Sequence, residues 1–109
     1  LSDYVAVSAV QEQQLRLLAP SVRTRQGEID LIVTAEVFLV FVEVRYRSSH
    51  YFGRPEETVT FKKQTRIRRT AEYFLSHYPN PNDQPCRFDV FSVSGSIENP
   101  KWKWIRNAF

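Results

Sequence analysis

The sequence lacks the features that mark secreted, membrane-spanning and low-complexity proteins. It holds one cysteine, Cys86, so no internal disulfide can form, which fits a reducing, cytoplasmic compartment. No apolar run approaches the roughly 18–20 residues that a membrane-spanning helix needs, and no signal-peptide pattern is present. With only 3 glycines and 6 prolines, the chain does not resemble a flexible linker. We therefore expect a cytoplasmic globular protein with no membrane partner.

The residues that are present suffice for one hydrophobic core. The chain has 109 residues, of which 42% are hydrophobic and 14% aromatic, as in an ordinary globular domain. It contains no methionine and begins at Leu1 inside a helical pattern. We therefore expect a single domain over residues 1–109, with its first helix truncated.

The positive charge is unevenly distributed. The net charge is only +3, yet between Arg45 and Arg69 the only acids are Glu56 and Glu57, among many lysines and arginines. A local excess of this kind favours a polyanionic partner such as nucleic acid. A solvated helix face is the alternative interpretation.

The spacing of apolar residues predicts a mixed α/β fold, with a central mixed sheet of four or five strands flanked by helices. Gly27 indicates a turn or a close approach before the first clear strand. Thr58 or Thr60 is the expected N-cap of the main helix, which follows the longest and most apolar strand. The predicted elements are a helix to about residue 14, extended chain over 15–25, strands over 28–34 and 37–47 joined by a hairpin, a loop over 48–57, a helix to about residue 78, and strands over 86–94 and 101–106.

Two acids, Asp30 and Glu43, lie within the apolar runs that predict two adjacent buried strands. Burying an ionised carboxylate without a partner is costly, so each acid needs a cation nearby. A divalent ion, Mg²⁺ or Mn²⁺, suits two close carboxylates. The carbonyl of Val44 and the carboxylate of Glu28 are candidate supporting ligands, and Arg45 lies on the same face as Glu43.

The alternative is a set of structural salt bridges without metal. In that interpretation Glu43 pairs with Arg25 or Arg47, and Asp30 pairs with Arg45. Both interpretations fit the spacing of these residues.

Six segments, in order and spread over residues 15–109, resemble the YraN-like family of predicted endonucleases. They are GEIDLI (27–32), FVEVRYRSS (41–49), FGRPEETV (52–59), KKQ (62–64), PCRFDV (85–90) and WIRNAF (104–109). That family is similar to archaeal Holliday junction resolvases, within the PD-(D/E)xK nuclease superfamily. The resemblance implies a restriction-endonuclease-like core, a single nuclease-like domain and metal-dependent cleavage of phosphodiester bonds.

By position, the resemblance implies that Asp30 is the metal-binding aspartate and Glu43 the second acid of a catalytic Mg²⁺ or Mn²⁺ site. Arg45 stands where the superfamily has lysine. A guanidinium stays protonated, so Arg45 cannot act as a general base but can stabilise negative charge or orient a water. Lys63 and Gln64 match the basic-polar pair of the following helix, and Gln64 is expected to contact the phosphate or orient the attacking water.

Our first hypothesis is a small metal-dependent endonuclease that acts on structured or branched DNA. Tyr51 is expected to stack on a base. The side chains expected to bind backbone phosphates are Arg47, Lys62, Lys63, Arg66 and Arg69. A homodimer is expected by analogy with resolvases, because a junction offers two symmetric strands. The alternatives are a nucleic-acid-binding module with a decayed nuclease site, supported by Arg45, and a partner-binding domain with a purely structural acid pair.

Other residues are predicted to have structural roles. Cys86 is expected in the core as a small apolar residue. Asp89 shares a strand face with Arg87 and is expected to pair with it, while Trp104 is expected to anchor packing. His77 is expected on the polar surface.

Overall fold

The computed structural model describes residues 2–47, 53–78, 84–96 and 98–109. In chain order the elements are α1 (Ser2–Glu12), β1 (Arg16–Ala19), β2 (Val22–Arg23), β3 (Glu28–Ile29), β4 (Leu31–Ala35), β5 (Phe38–Tyr46), a short 3₁₀ helix (Pro55–Thr58), α2 (Phe61–His77), β6 (Cys86–Gly95) and β7 (Pro100–Ile105). No helix in the described ranges is long and apolar enough to cross a membrane.

The predicted α/β fold is confirmed as a five-stranded mixed sheet in the order β1-β4-β5-β6-β7. Strand β5 is central, pairing antiparallel with β4 and parallel with β6, while β1 and β7 form the antiparallel edges. The parallel pair requires a crossover, and α2 is the helix that makes it. Strand β5 is buried on both faces, with Val40 and Phe41 at most 1% exposed. This arrangement is consistent with a restriction-endonuclease-like core.

A helix covers each face of the sheet. On one face, Ala6, Ala9 and Val10 of α1 pack into a core with Val40 and Phe91. This contact explains why the apolar residues of the first segment recur at helical spacing.

The opposite face is covered by α2, where Ile67 and Ala71 join a second core with Leu39 and Phe41. Thr60 is the N-cap of α2, because its hydroxyl accepts a hydrogen bond from the backbone nitrogen of Lys63 at 3.2 Å. The helix therefore begins immediately beside the sheet face that carries Glu43.

The predicted strand over residues 28–34 is in fact two strands separated by a bend at Asp30. Strand β3 pairs with β2 in a small separate hairpin, whereas β4 joins the main sheet. The apolar run did not indicate this break, because both halves are buried against different neighbours. Asp30 consequently lies at the junction between the two sheets.

The prediction that Cys86 is a core residue is wrong, since its side chain is exposed. Cys86 is the first residue of β6, and an apolar run does not show where a strand emerges from the protein interior.

Candidate active site

The two predicted acids come together where the chain passes from the β2–β3 hairpin into β4. One carboxylate oxygen of Asp30, Oδ2, accepts a hydrogen bond from the backbone nitrogen of Val44 at 2.8 Å. Ladder pairing between β4 and β5 begins one residue later, with Leu31 opposite Val42. The side chain of Asp30 thus satisfies a backbone donor of β5 beside the bend in the chain. This bond holds Asp30 next to Glu43.

Glu43 is buried, with 6% of its side chain exposed. Its Oε2 atom has no hydrogen-bond partner within the described part of the chain. The Nζ atom of Lys63 lies 3.4 Å from it, as an ion pair. Burial raises the pKa of Glu43 to about 8, and the neighbouring carboxylate of Asp30 acts in the same direction, against the opposing effect of Lys63. The site therefore holds a carboxylate whose ionised form needs more positive charge than Lys63 provides.

Both acids line a cavity of about 420 Å³ between the sheet and the start of α2. Its other lining residues are Gly27, Glu28, Thr60, Lys62, Lys63, Arg66 and Ile67. The cavity thus combines three acids, from β3, the bend after it and β5, with three cations from α2. This is a suitable environment for a cation and a phosphate bound together.

The helical period explains why Lys63 reaches Glu43. Lys63 and Ile67 are four residues apart and lie on the same face of α2. Ile67 is buried in the core against the sheet, so the side chain one turn earlier lies at the rim of that core. The resulting pair replaces the salt bridges considered for Glu43 in the metal-free alternative.

The family was established by comparison with known proteins. A family model described as "Uncharacterised protein family UPF0102" matches residues 3–93. The chain belongs to this family. It is 45% identical over 108 residues to a UPF0102 protein of Nitrosomonas europaea, covering 99% of this chain and 89% of that relative. It is 46% identical over 104 residues to one of Lachnoclostridium phytofermentans, covering 95% of this chain and 85% of that relative. The predicted YraN-like membership is confirmed.

Within this UPF0102 member, several predicted site residues lie outside the acid-lined cavity. Arg45 donates from Nε to the hydroxyl of Thr58 at 3.2 Å. Gln64 donates from Nε2 to the carbonyl of Val59 at 3.1 Å. Arg47 donates to the carbonyl of Gly53 at 2.9 Å. The lining of the acid-lined cavity includes none of these three residues and not the exposed Arg69. Tyr51 lies outside the described residues.

The two supporting ligands predicted for the metal have other contacts. Glu28 lines the cavity but pairs with Arg23, its cross-strand neighbour, at 3.4 Å. The backbone nitrogen of Val44 binds Asp30, and the role predicted for its carbonyl stays a prediction.

The donor set matches the way Mg²⁺ binds to proteins. Across residues 2–47, 53–78, 84–96 and 98–109, no three His, Cys, Asp or Glu residues cluster closely enough to form a metal centre by themselves. Mg²⁺ uses one or two carboxylates, together with waters and substrate phosphates, rather than a full set of protein ligands. The buried oxygen of Glu43, for which the described part of the chain offers no hydrogen-bond partner, is a suitable ligand of this kind. Asp30 and Glu43 therefore fit such a cation.

The sequence reasoning missed the Glu43–Lys63 pair, although a signal was present. The apolar stripe of α2 runs through Ile67 and Ala71 at intervals of four residues. Extending that interval backwards by one step reaches Lys63, a cation at the first position of a buried stripe. A cation at this position lies beside the buried sheet face, where Glu43 is the acid that pairs with it.

Asp89 is confirmed as a structural residue. It is fully buried and accepts two hydrogen bonds from Arg87, at 2.9 and 3.0 Å. It also accepts bonds from the indole nitrogen of Trp104 at 2.7 Å and the backbone nitrogen of Asn107 at 2.9 Å. These bonds join β6, β7 and the C-terminal segment. His77, as predicted, is exposed at the end of α2.

Proposed function

We propose that this UPF0102 member is a metal-dependent endonuclease that cleaves phosphodiester bonds in structured or branched DNA. The observation that carries the proposal is the buried oxygen of Glu43, which has no hydrogen-bond partner among the described residues, beside Asp30 in a cavity rimmed by cations. The resemblance of the sequence segments to PD-(D/E)xK nucleases supports the same activity. Positive charge around the acids is what a phosphodiester substrate requires.

Asp30 and Glu43 are the residues that would hold Mg²⁺ or Mn²⁺. When bound, the cation supplies Lewis-acid activation of water and neutralises charge on the leaving oxygen. The bond from Val44 keeps Asp30 in place before any ligand arrives. Prearranged ligands of this kind avoid reorganisation during the reaction.

Lys63 is the cation best placed to act on the scissile phosphate. It lines the cavity, and 40% of its side chain is exposed, so its ammonium group can move from Glu43 to an incoming phosphate. Arg45 contacts Thr58 outside the cavity, and Thr58 in turn donates to the carbonyl of Pro55 at 2.7 Å. We assign Arg45 a positioning role for the 3₁₀ helix that precedes α2.

Binding of the nucleic acid is assigned first to Lys62 and Arg66, the exposed cations of α2 that line the cavity. Their positions differ by four residues, so they project from one face of the helix. Contacts of this type are to backbone phosphates and do not read sequence.

A cleavage assay tests the proposed function. Four-way junction, duplex and single-stranded DNA are incubated with the protein in Mg²⁺, Mn²⁺ or EDTA. We expect cleavage of at least the junction with either metal, none in EDTA, and none by Glu43→Gln. Glu72→Gln, which removes an exposed acid elsewhere on α2, should cut as the native chain does. Cleavage in EDTA, or full activity of Glu43→Gln, would contradict the proposal.

A second candidate function is nucleic-acid binding without cleavage. The observation that favours it is the arginine in the lysine place, whose guanidinium contacts Thr58 instead of lining the cavity. In that case the native chain binds DNA but cuts none of the three forms with either metal. If Arg45→Lys cuts DNA and the native chain does not, the arginine at position 45 has silenced an otherwise intact site.

A further inference from the structure

A second cavity, of about 450 Å³, adjoins the acid-lined cavity. It is lined by Arg23, Thr24, Arg25, Gln26, Gly27, Glu28 and Arg66. Three of these residues, Gly27, Glu28 and Arg66, also line the first cavity. The two cavities therefore form one continuous surface from the start of α2 to the turn between β2 and β3.

Hydrogen bonds within the β2–β3 turn fix its shape. The backbone nitrogen of Thr24 donates to the carbonyl of Gly27 at 2.8 Å. The backbone nitrogen of Gln26 donates to the hydroxyl of Thr24 at 3.0 Å. The same hydroxyl lies 3.4 Å from that of Thr70 on α2. The turn is thus joined to the helix and not only to its own strands.

Gly27 allows this close docking of the turn on α2. A Cβ atom at this position would lie 3.2 Å from Cβ of Arg66 and 3.3 Å from the hydroxyl of Thr70. Both distances are tighter than ordinary contacts, so a side chain here would push the turn away from the helix. The glycine thereby keeps Arg66 beside the arginines of the turn.

The charges of the second cavity favour an anion. Three arginines line it, from β2, the turn and α2, against the single acid Glu28, which already pairs with Arg23 at 3.4 Å. Arg23 has 79% of its side chain exposed, and Arg25 and Arg66 are also exposed. Exposed arginines contribute little to the core, while their planar guanidinium groups bind phosphate in a bidentate way.

We propose that this second cavity is a subsite for the nucleic-acid backbone, in which Arg23, Arg25 and Arg66 bind a phosphate other than the one cleaved. The inference rests on the proposed function, because it places the scissile phosphate at Asp30 and Glu43. The ligand is a phosphodiester on the same strand, since the two cavities share their lining.

The test measures DNA affinity against salt concentration by fluorescence anisotropy, without divalent cations so that no cleavage occurs. The double variant Arg23→Ala/Arg25→Ala is compared with the native chain. We expect the slope of log affinity against log salt to flatten by about 1 to 2 units, as the loss of two phosphate contacts requires. The matched control is the double variant Arg16→Ala/Lys103→Ala, which removes two exposed cations, on β1 and β7, that line neither cavity, and its slope should equal the native one.

An unchanged slope in the double variant, or a native chain that binds no DNA, would overturn the subsite. Equal flattening in Arg16→Ala/Lys103→Ala would also overturn it, because the effect would then reflect net charge alone. Inorganic phosphate should displace DNA no more than chloride of equal ionic strength; stronger displacement would assign the cavity to free phosphate.

Two further measurements separate this inference from the nuclease assignment. Calorimetry should show that the double variant Arg23→Ala/Arg25→Ala still binds Mn²⁺, because Asp30 and Glu43 are untouched. If the native chain cuts no DNA but the slope still flattens in the double variant, the subsite stands and the nuclease function fails.

Discussion

The carboxylate of Asp30 accepts a hydrogen bond from the backbone nitrogen of Val44, 2.8 Å away, and so lies beside Glu43, the residue that precedes Val44. This bond connects the bend between β3 and β4 to the central strand. An acid from this bend and an acid from β5 are thereby held together in the lining of one cavity. This arrangement predicts that the two acids bind a divalent cation and that Glu43 makes the stability of the fold depend on pH.

The acid pair should bind a divalent cation. We expect native protein to bind Mn²⁺ in calorimetry, and both Asp30→Asn and Glu43→Gln to abolish detectable binding. The amide of Asp30→Asn can still accept the bond from Val44, so the fold should be retained. Glu72→Gln removes an exposed acid and should bind as the native chain does. Native affinity in both site variants would disprove this assignment.

Without metal, the stability contributed by Glu43 should depend on pH. Its pKa is raised from 4.5 to about 8 by burial and by Asp30, so the folded chain keeps a proton that the unfolded chain releases. This contribution is fully present below pH 4.5 and is lost as the pH rises towards 8. The free energy of unfolding of Glu43→Gln, relative to that of the native chain, should therefore rise from pH 5 to pH 9. The expected rise is at least the ~1.4 kcal/mol that corresponds to one pKa unit.

Urea unfolding of both proteins in EDTA at these two pH values measures the difference. With Mn²⁺ added at pH 9, the native chain should become the more stable of the two, because the cation binds the ionised carboxylate that Glu43→Gln lacks. If the difference in free energy of unfolding between the two proteins is the same at both pH values, the buried environment of Glu43 is contradicted.

Lys63 should have opposite effects on metal binding and on cleavage. Its ammonium lies 3.4 Å from Glu43 and competes with a divalent cation for the same carboxylate. We expect Lys63→Gln to bind Mn²⁺ several-fold more tightly but to cut DNA on the order of a hundredfold more slowly, as loss of one placed donor does. Parallel calorimetry and single-turnover kinetics measure both effects. Weaker metal binding in Lys63→Gln would refute the competition.

The helix cations should account for much of the salt dependence of DNA binding. Changing Lys62, Arg66 and Arg69 to Ala together should flatten the slope of log affinity against log salt by roughly one unit per lost contact. Lys62 and Arg66 line the cavity, whereas Arg69 does not. We therefore expect Lys62→Ala and Arg66→Ala each to have a larger effect than Arg69→Ala. A salt-insensitive affinity in the native chain would place the binding surface elsewhere.

Asp89 should affect stability and not the metal site. Removing its carboxylate leaves Arg87, 14% exposed, without its ion-pair partner, and also frees the indole nitrogen of Trp104. We expect Asp89→Ala to lower the free energy of unfolding by about 3–5 kcal/mol. Urea titration measures the loss, and Mn²⁺ calorimetry on the folded variant should be unchanged. Native stability with lost metal binding would instead make Asp89 part of the site.

Much of the fold follows from local sequence signals. The long apolar run of β5 predicts a central strand because only a strand buried on both faces tolerates it. Thr58 or Thr60 is the N-cap that the sequence predicts for α2, and Thr60 is the residue that caps it. The apolar stripe through Ile67 indicates the buried face of that helix. Gly27 predicts a close approach, and the structure shows that the neighbour is α2.

Features that depend on tertiary contacts were less predictable. The bend at Asp30 cannot be read from the sequence, because buried apolar residues, Ile29 and Leu31, stand directly on both sides of it. Cys86 resembles a core residue but lies at the exposed first position of β6. The stripe of α2 indicates that Lys63 lies at the edge of the buried helix face, but its pairing with Glu43 depends on how α2 packs against the sheet.

The most direct test of the central claim is anomalous diffraction from crystals of the native protein soaked in Mn²⁺. We predict an anomalous peak within coordinating distance of carboxylate oxygens from both Asp30 and Glu43, with the ammonium of Lys63 displaced from Glu43. No peak at these acids under saturating Mn²⁺, with Lys63 still paired to Glu43, would contradict the metal site and leave a structural ion pair in its place.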